Sequence, residues 1–224
     1  MNKTLKGWGV TLLLLLSLAA CRKETSFGDD GGASNGGGTN GGGTNGGGTN
    51  GGTSNAADLI GTWTFVSMHV TSITNVTASQ AGTTVKSTTS ADYTTINNSG
   101  TFTITATTMA SNAVAYDIST TLHVTSIIGG VNMGNTDFPW TFSSPPSTST
   151  VDYKVIGKDS IAYPSGSLMT IGDQTTQVPA GGYRFSIANN VLTLKTSVYQ
   201  SYSVPAQGIT STAGVIATST LKRQ

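Results

Sequence analysis

The chain has very little of what most enzymes and nucleic-acid-binding proteins use. Of its 224 residues only 9% are charged, two are histidines, one is a cysteine, and the single glutamate is Glu24. After residue 55 no two aspartates lie at a short spacing, and His69 and His123 have no cysteine or carboxylate cluster beside them, so they make a poor metal site. A net charge of +1 leaves no basic patch for nucleic acid. We therefore expect no enzymatic activity, cofactor, metal or nucleic-acid partner.

A lone cysteine also excludes a disulfide framework, and its position indicates another role. Cys21 follows a positively charged start and the apolar run of residues 10–16, which is shorter than the roughly 20 residues that span a bilayer. The stretch "LAAC" (Leu18–Cys21) resembles the lipobox of bacterial lipoproteins, in which the thiol is acylated and the chain is cut just before it. The resemblance implies a signal peptide over 1–20 and a lipid-modified (palmitate-carrying) Cys21 that attaches the protein to the membrane.

The residues after the cysteine bear on the final location. The residue after the cysteine is Arg22, whereas an aspartate at this position retains such lipoproteins in the inner membrane. We therefore expect an outer-membrane lipoprotein. Lys23 and Glu24 loosely resemble the surface-export signal of Bacteroidetes-type lipoproteins, and a solvated charged stub explains them equally well. Whether the protein faces the periplasm or the exterior stays open at this point.

A Gly/Thr/Asn repeat then separates the cysteine from the rest of the chain. Five pentads that end in asparagine run from "GGASN" to "GGTSN" over residues 31–55. The repeat has almost no apolar side chain to bury, and its glycines make ordering entropically unfavourable. We expect residues 21–55 to be a lipidated N-terminus and disordered linker, with a typical reach of roughly 30 Å.

Helical periodicity is also missing from the remaining chain. Apolar residues do not recur at helical spacing for more than a turn or two, and alternation with a period of two dominates instead. In "GTFTITAT", Phe102, Ile104 and Ala106 are predicted to share the buried face of a strand. Further strands are predicted at 62–72, 113–128, 151–157, 159–163, 167–171 and 214–221.

The clearest local prediction is a hairpin over residues 183–199. Its two alternating runs are separated by Asn189 and Asn190, which tolerate the positive φ of a tight turn. Many short antiparallel strands at this spacing indicate one all-β domain over 56–224, either a barrel or a sandwich. Residues 129–150, which contain prolines, do not fit the strand pattern.

The start of this domain carries a resemblance. "DLIGTWTFVS" (Asp58–Ser67) resembles the G-x-W opening of lipocalins and their bacterial lipocalin-like relatives, with Gly61 and Trp63 at the matching positions. The resemblance implies an antiparallel up-and-down β-barrel, with Trp63 packed across its closed end. A β-sandwich is the alternative.

Two functions follow from these expectations. By resemblance to its family, a lipocalin-like barrel binds a small apolar or amphipathic ligand, and inward residues that run to Ala, Val, Ile and Thr favour an interior that is not completely filled. The alternative is a non-enzymatic adhesion or partner-binding module on a flexible stalk, which would meet an envelope protein or polysaccharide. Fold similarity alone does not choose between them.

Two further residues are candidates for contact with sugars. Trp140 in "DFPWTF" is either an aromatic side chain packed against the domain or a residue that stacks on a sugar ring. "DSI" (Asp159–Ile161) resembles the three-residue O-glycosylation acceptor of the same bacterial group, with Ser160 as the acceptor.

Overall fold

The computed structural model describes residues 55–80, 82–164 and 181–224. Cys21, most of the predicted linker and the predicted strand at 167–171 lie outside these ranges. Nearly all described residues belong to antiparallel strands. The elements are α1 Ala56–Leu59, β1 Gly61–Gln80, β2 Thr83–Thr94, β3 Ile96–Ile104, β4 Thr108–Ile128, β5 Val131–Asp152, β6 Lys154–Ile156, β7 Ser160–Tyr163, β8 Gly181–Ala188, β9 Val191–Val204 and β10 Ile209–Arg223, with a 3₁₀ turn at Pro205–Gln207.

The strands form one sheet that closes into a barrel. β2 and β3 follow each other along the same side of β1, and β4 pairs with both of them. β5 pairs with β4, and β6 continues β5 after a break at Tyr153 and pairs with β7. From there the order is β7–β8–β9–β10, and β10 returns to β1. The predicted antiparallel up-and-down barrel is therefore confirmed, and the sandwich alternative is wrong.

Large side chains fill the described barrel interior. Trp63, Met68 and Phe102 are each 1% exposed or less. The ring of Phe65 meets those of Phe102 and Tyr116 edge-on, at centroid distances of 6.2 and 6.3 Å. A barrel of about eight strands has an interior just wide enough for side chains to fill. The lining thus differs from the small, aromatic-poor set that the sequence led us to expect.

Three hairpins extend well beyond the closed part of the barrel. They are formed by β1 with β2, β4 with β5, and β9 with β10, and together they make a six-stranded sheet in the order β5–β4–β2–β1–β10–β9. One face of this sheet continues the barrel interior, and the other is the outer surface. At about 3.3 Å per residue, the 20 residues of β1 span up to about 65 Å.

Several local predictions can be compared with the structure. The hairpin over 183–199 is confirmed as β8 and β9, with Asn189 and Asn190 at φ 51° and 61°. The placement of Ala106 is wrong, because β3 ends at Ile104 and Ala106 is exposed in the turn to β4. The Thr105 side chain builds that turn by accepting hydrogen bonds from the backbone N–H groups of Thr107 and Thr108, at 3.3 and 3.0 Å.

The poor fit of residues 129–150 to a strand pattern was misleading, because most of them form the 22-residue strand β5. β4 is the only strand that pairs with β5 in the part of the chain described. A strand with no described partner on its other side tolerates a proline such as Pro139, and Pro145 and Pro146 lie in the register shift between Ser144 and Ser147, where they have no partner on β4.

Gly100 allows two irregular strand segments to approach. It has φ +100°, and an added Cβ would lie 2.5 Å from Val114 Cα and 2.6 Å from the Ala113 oxygen. Gly100→Ala should therefore lower the free energy of unfolding by at least about 2 kcal/mol, measured in urea. Gly134 is the matched control, since it has φ +87° with nothing within 4 Å of the added Cβ. Equal losses in the two variants would contradict the steric explanation.

Buried tyrosines make the fold sensitive to high pH. The pKa of Tyr183 is raised above its usual value mainly by burial and then by repulsion from Tyr163. The pKa of Tyr93 is raised to about 12, again mainly by burial and then by repulsion from Tyr116. In the unfolded chain these groups ionise near pH 10. Their contribution to stability is therefore fully present below about pH 10 and is lost as pH rises towards the folded-state values.

We expect the urea midpoint to fall steadily above about pH 10, and the fall to be shallower in Tyr183→Phe, which has no phenol to ionise. Unfolding curves at about pH 8, 10 and 11 measure both slopes. Parallel slopes in the variant and the wild type would show that Tyr183 does not contribute to this pH dependence.

Candidate binding surface

The residues that carry the lipocalin resemblance lie where the chain enters the domain. Trp63 is fully buried beneath α1, and its Nε1 donates to the Leu59 carbonyl at 2.9 Å. The Arg223 guanidinium lies 4.6 Å from the Trp63 ring centre and donates to the Asp58 carbonyl. Gly61 precedes them with φ +146°. This end of the barrel is therefore closed by packing, and the predicted linker joins the domain beside it.

The two histidines do not form a common site. His69 Nε2 lies 2.7 Å from an Asp92 carboxylate oxygen, and His123 Nδ1 lies 2.8 Å from Asp137. All four side chains are at least half exposed, so each pair contributes little to stability. Within residues 55–80, 82–164 and 181–224, no three His, Cys, Asp or Glu side chains are grouped so that they could hold a metal ion.

Trp140 lies on β5 and belongs to the packing at the inner face of the sheet. Its ring meets Tyr93 edge-on at 5.9 Å and stacks on Phe142 at 6.4 Å between centroids. It is partly buried against the core. Of the two interpretations from the sequence, the packed aromatic fits this arrangement, although Trp140 is on a strand and not in a loop.

Ser160 is the first residue of β7 and is partly exposed. Its hydroxyl donates to the Asp159 carboxylate at 3.1 Å. The backbone of Asp159 is held in turn, because its carbonyl accepts from the Phe185 N–H at 2.6 Å. The residue therefore lies in a fixed turn at the linker end of the barrel.

An open groove of about 300 Å³ lies beside Asp117. Asn97 donates to the Asp117 carboxylate at 2.7 Å. Hydrogen bonds from Asn97 and then from Ser143 lower the pKa of Asp117, so the carboxylate stays ionised to lower pH. The groove is lined by Ile96, Asp117, Ile118, Ser119, Thr141, Phe142 and Ser143.

The turns of the three long hairpins lie together at the end of the molecule opposite α1. The Ser79 N–H donates to the Gly208 carbonyl, and the Gly129 N–H donates to the Thr84 carbonyl, both at 2.9 Å. These bonds tie the three turns into one distal edge. The start of β5 at this edge exposes Val131 and Met133, at 63% and 61%. The molecule thus has a linker end and a distal end, separated by the length of the hairpins.

A second exposed apolar area lies on the outer face of the same sheet. Ile73 on β1 is opposite Gly214 on β10, which is opposite Tyr199 on β9. On one side of this row lies the row Thr71, Ile216 and Ser197, and on the other the row Asn75, Thr212 and Ser201. We call these nine residues the β9–β10–β1 patch. Sequence reasoning missed it, because it depends on the register between strands far apart in the chain.

The three strands of this patch carry no formal charge along its length, and the neighbouring charges on the same face lie on β2: Asp92, opposite Thr71, and Lys86, opposite Thr77. Residues 70–80, 196–204 and 209–221 contain no Lys, Arg, Asp or Glu. In contrast, Lys195 on β9 and Lys222 on β10 lie nearer the linker end, and Arg184 is opposite Lys195. A partner that covers the patch would therefore remove no charged side chain in these stretches of β1, β9 and β10 from water.

Comparison of the chain with models of known protein families, with curated proteins and with solved structures finds no match. α1, the one α-helix among the described residues, has four residues, and no helix there has the length and apolar character needed to cross a bilayer. The lipocalin resemblance thus depends on Gly61, Trp63 and the strand pattern alone.

Proposed function

We propose that the protein is a lipid-anchored outer-membrane lipoprotein that presents a non-enzymatic binding surface away from the membrane. The observation that carries the proposal is the contrast between a barrel interior filled by Trp63, Met68 and Phe102 and an uncharged, partly apolar outer surface on the long hairpins. Charge-poor surfaces with exposed aromatic and aliphatic side chains are typical of the centres of binding interfaces.

The orientation of the domain supports this role. The lipobox-like cysteine and the Gly-rich linker precede α1, so the linker from the anchor joins the domain at the closed end of the barrel. The distal edge and the β9–β10–β1 patch are then the parts of the domain farthest from the point of attachment, and a linker with a reach of roughly 30 Å lets them extend away from the lipid. A partner in the surrounding envelope would meet these surfaces first.

The alternative that follows from the lipocalin resemblance is a small apolar ligand inside the barrel. Such a ligand would have to displace side chains that are packed against one another, and each large side chain moved from the core destabilises the fold by a few kcal/mol. The described interior therefore favours the outer surface as the place where binding occurs.

Site-specific photo-crosslinking tests the proposal. A photoreactive amino acid at Ser201, which is exposed on the distal part of β9, should give a crosslink to an envelope component when the lipidated protein is expressed in its own cell. Lys195 is the matched control, since it is exposed on the same face of the same strand but nearer the linker end. Crosslinks that are equal at the two positions, or confined to Lys195, would contradict a distal binding surface.

A further inference from the structure

Building on the proposed function, we propose that the β9–β10–β1 patch binds an uncharged, hydroxyl-rich polymer, a neutral polysaccharide strand, with Tyr199 as the residue on which a sugar ring stacks. The inference depends on the patch being a binding surface and adds the chemical class of its partner. It uses no residue of the barrel interior and none of the His–Asp pairs.

The centre of the patch is a shallow apolar trough. Gly214 has no side chain, and a Cβ added there would lie 3.6 Å from Ile73 Cγ2 and 3.8 Å from Tyr199 Cδ2. The two flanking side chains therefore border the glycine across three strands. Tyr199 is 64% exposed and Ile73 48% exposed, so both offer apolar surface to a partner. A flat aromatic ring beside a dip is the shape that receives the C–H face of a sugar ring.

Hydroxyl and amide groups border this trough on one side. Asn75 Nδ2 donates to Thr212 Oγ1 at 3.5 Å, and Thr88 Oγ1 donates to Asn75 Oδ1 at 2.8 Å. The row continues in register to Thr125, which donates to Asn135 at 2.8 Å. These groups both donate and accept, as sugar hydroxyls do. The row runs across six strands, roughly 24 Å at strand spacing, which suits an extended chain better than a single sugar.

Charge selects among the possible partners. Residues 70–80, 196–204 and 209–221 contain no Lys or Arg, and the cation beside the row of Asn75 and Thr88 is the single Lys86 on β2, whereas recognition of an anionic lipid surface takes a cluster of about 4–8. The same residues contain no Asp or Glu, and the carboxylate beside them, that of Asp92 opposite Thr71, already lies 2.7 Å from His69, so the patch offers little to a basic partner. A charged group buried there would lose its hydration without compensation, whereas a neutral polyol would not. Charge complementarity therefore favours the uncharged polymer.

The test is a calorimetric titration of the full-length lipidated protein in phosphatidylcholine nanodiscs. The probes are hexasaccharides of β-1,4-glucan, β-1,3-glucan and α-1,6-mannan, with hexagalacturonate as the charged comparison, each to millimolar concentration. We expect at least one neutral probe to bind saturably and more tightly than hexagalacturonate. Tyr199→Ser should weaken this binding by about tenfold, because the stacking ring is lost.

Two variants separate binding from folding. Gly214→Val should weaken binding about tenfold by filling the trough, with an unchanged or higher Tm, since φ at this strand position is not in the left-handed region. Ile156→Ser is the matched control, since Ile156 is exposed to a similar degree as Tyr199, 57% against 64%, but lies on β6, outside the patch and the distal edge. It should leave binding unchanged.

Three results would overturn the inference: no saturable binding of any neutral probe, binding of hexagalacturonate at least as tight as the neutral probes, or an equal loss in Ile156→Ser. If the neutral probes fail while a crosslinker at Ser201 still captures an envelope component, the partner class is wrong and the proposed function stands. If Ser201 captures nothing, the proposed function itself fails.

Discussion

Trp63→Ala should lower the free energy of unfolding by about 3–5 kcal/mol. The side chain is completely buried, and its removal would leave a cavity under α1. It would also leave the Leu59 carbonyl without its Nε1 donor, and Arg223 without the ring on which it lies. Urea unfolding monitored by circular dichroism measures the loss, because this probe does not depend on tryptophan fluorescence.

Trp63→Phe is the matched variant for this prediction. It keeps most of the ring and removes the hydrogen bond to Leu59, so we expect a loss of about 1–3 kcal/mol, smaller than that of the alanine variant. An alanine variant within about 1 kcal/mol of the wild type would mean that the closed end of the barrel does not depend on Trp63.

Cys21→Ala should abolish acylation and leave the uncleaved precursor. The thiol is the only group in the lipobox-like segment that forms a stable thioether with a lipid, and the chain has no second cysteine to replace it. Metabolic labelling with palmitate and mass spectrometry of the membrane fraction measure the effect. Ala20→Ser, which keeps a small residue before the cut, should still be processed.

Equal amounts of mature, membrane-bound protein from Cys21→Ala and the wild type would show that the resemblance to a lipobox is accidental. In that case the α1 end of the domain would not be the end attached to the membrane through a lipid. The membrane-distal position of the β9–β10–β1 patch in the proposed function would then have no support. The filled interior and the β9–β10–β1 patch would be unaffected.

The fold class was predictable because apolar and polar residues alternate along the sequence with the period of a half-buried strand. Phe102 and Ile104 alternate with threonines, and both are 1% exposed in β3. The hairpin of β8 and β9 was predictable from Asn189 and Asn190, whose side chains tolerate positive φ. Local patterns of this kind depend on neighbours in the chain, which a sequence displays directly.

The extent of the long strands was harder to predict. β1 was expected to end at residue 72 but continues to Gln80, since its distal residues are mainly Thr, Ser and Asn on a face that stays in solvent. β5 is not evident in the sequence because proline is ordinarily a strand breaker, and its tolerance here depends on the side of β5 that no described strand pairs and on the register shift at Ser144 to Ser147. Both errors arise from tertiary context that composition does not contain.

The candidate site could not be predicted from the sequence. Its three rows exist only because β10 pairs with β1 and β9 in one register, and a shift by one residue would turn Tyr199, Gly214 and Ile73 to the other face. The histidines and Trp140, which did stand out in the sequence, belong to surface ion pairs and to packing. Rare residue types were thus a poor guide to this surface.

The central claim is that binding occurs on the outer surface and that the barrel interior is full. Titration of the full-length lipidated protein in nanodiscs with a fluorescent fatty acid tests it most directly, after subtraction of the signal from empty nanodiscs. The account predicts no saturable binding to the protein and no displacement by an excess of unlabelled fatty acid. One-site saturation that the competitor reverses would contradict it, because such a probe needs a cavity, and in the described part of the barrel interior Trp63, Met68 and Phe102 are packed with almost no exposure.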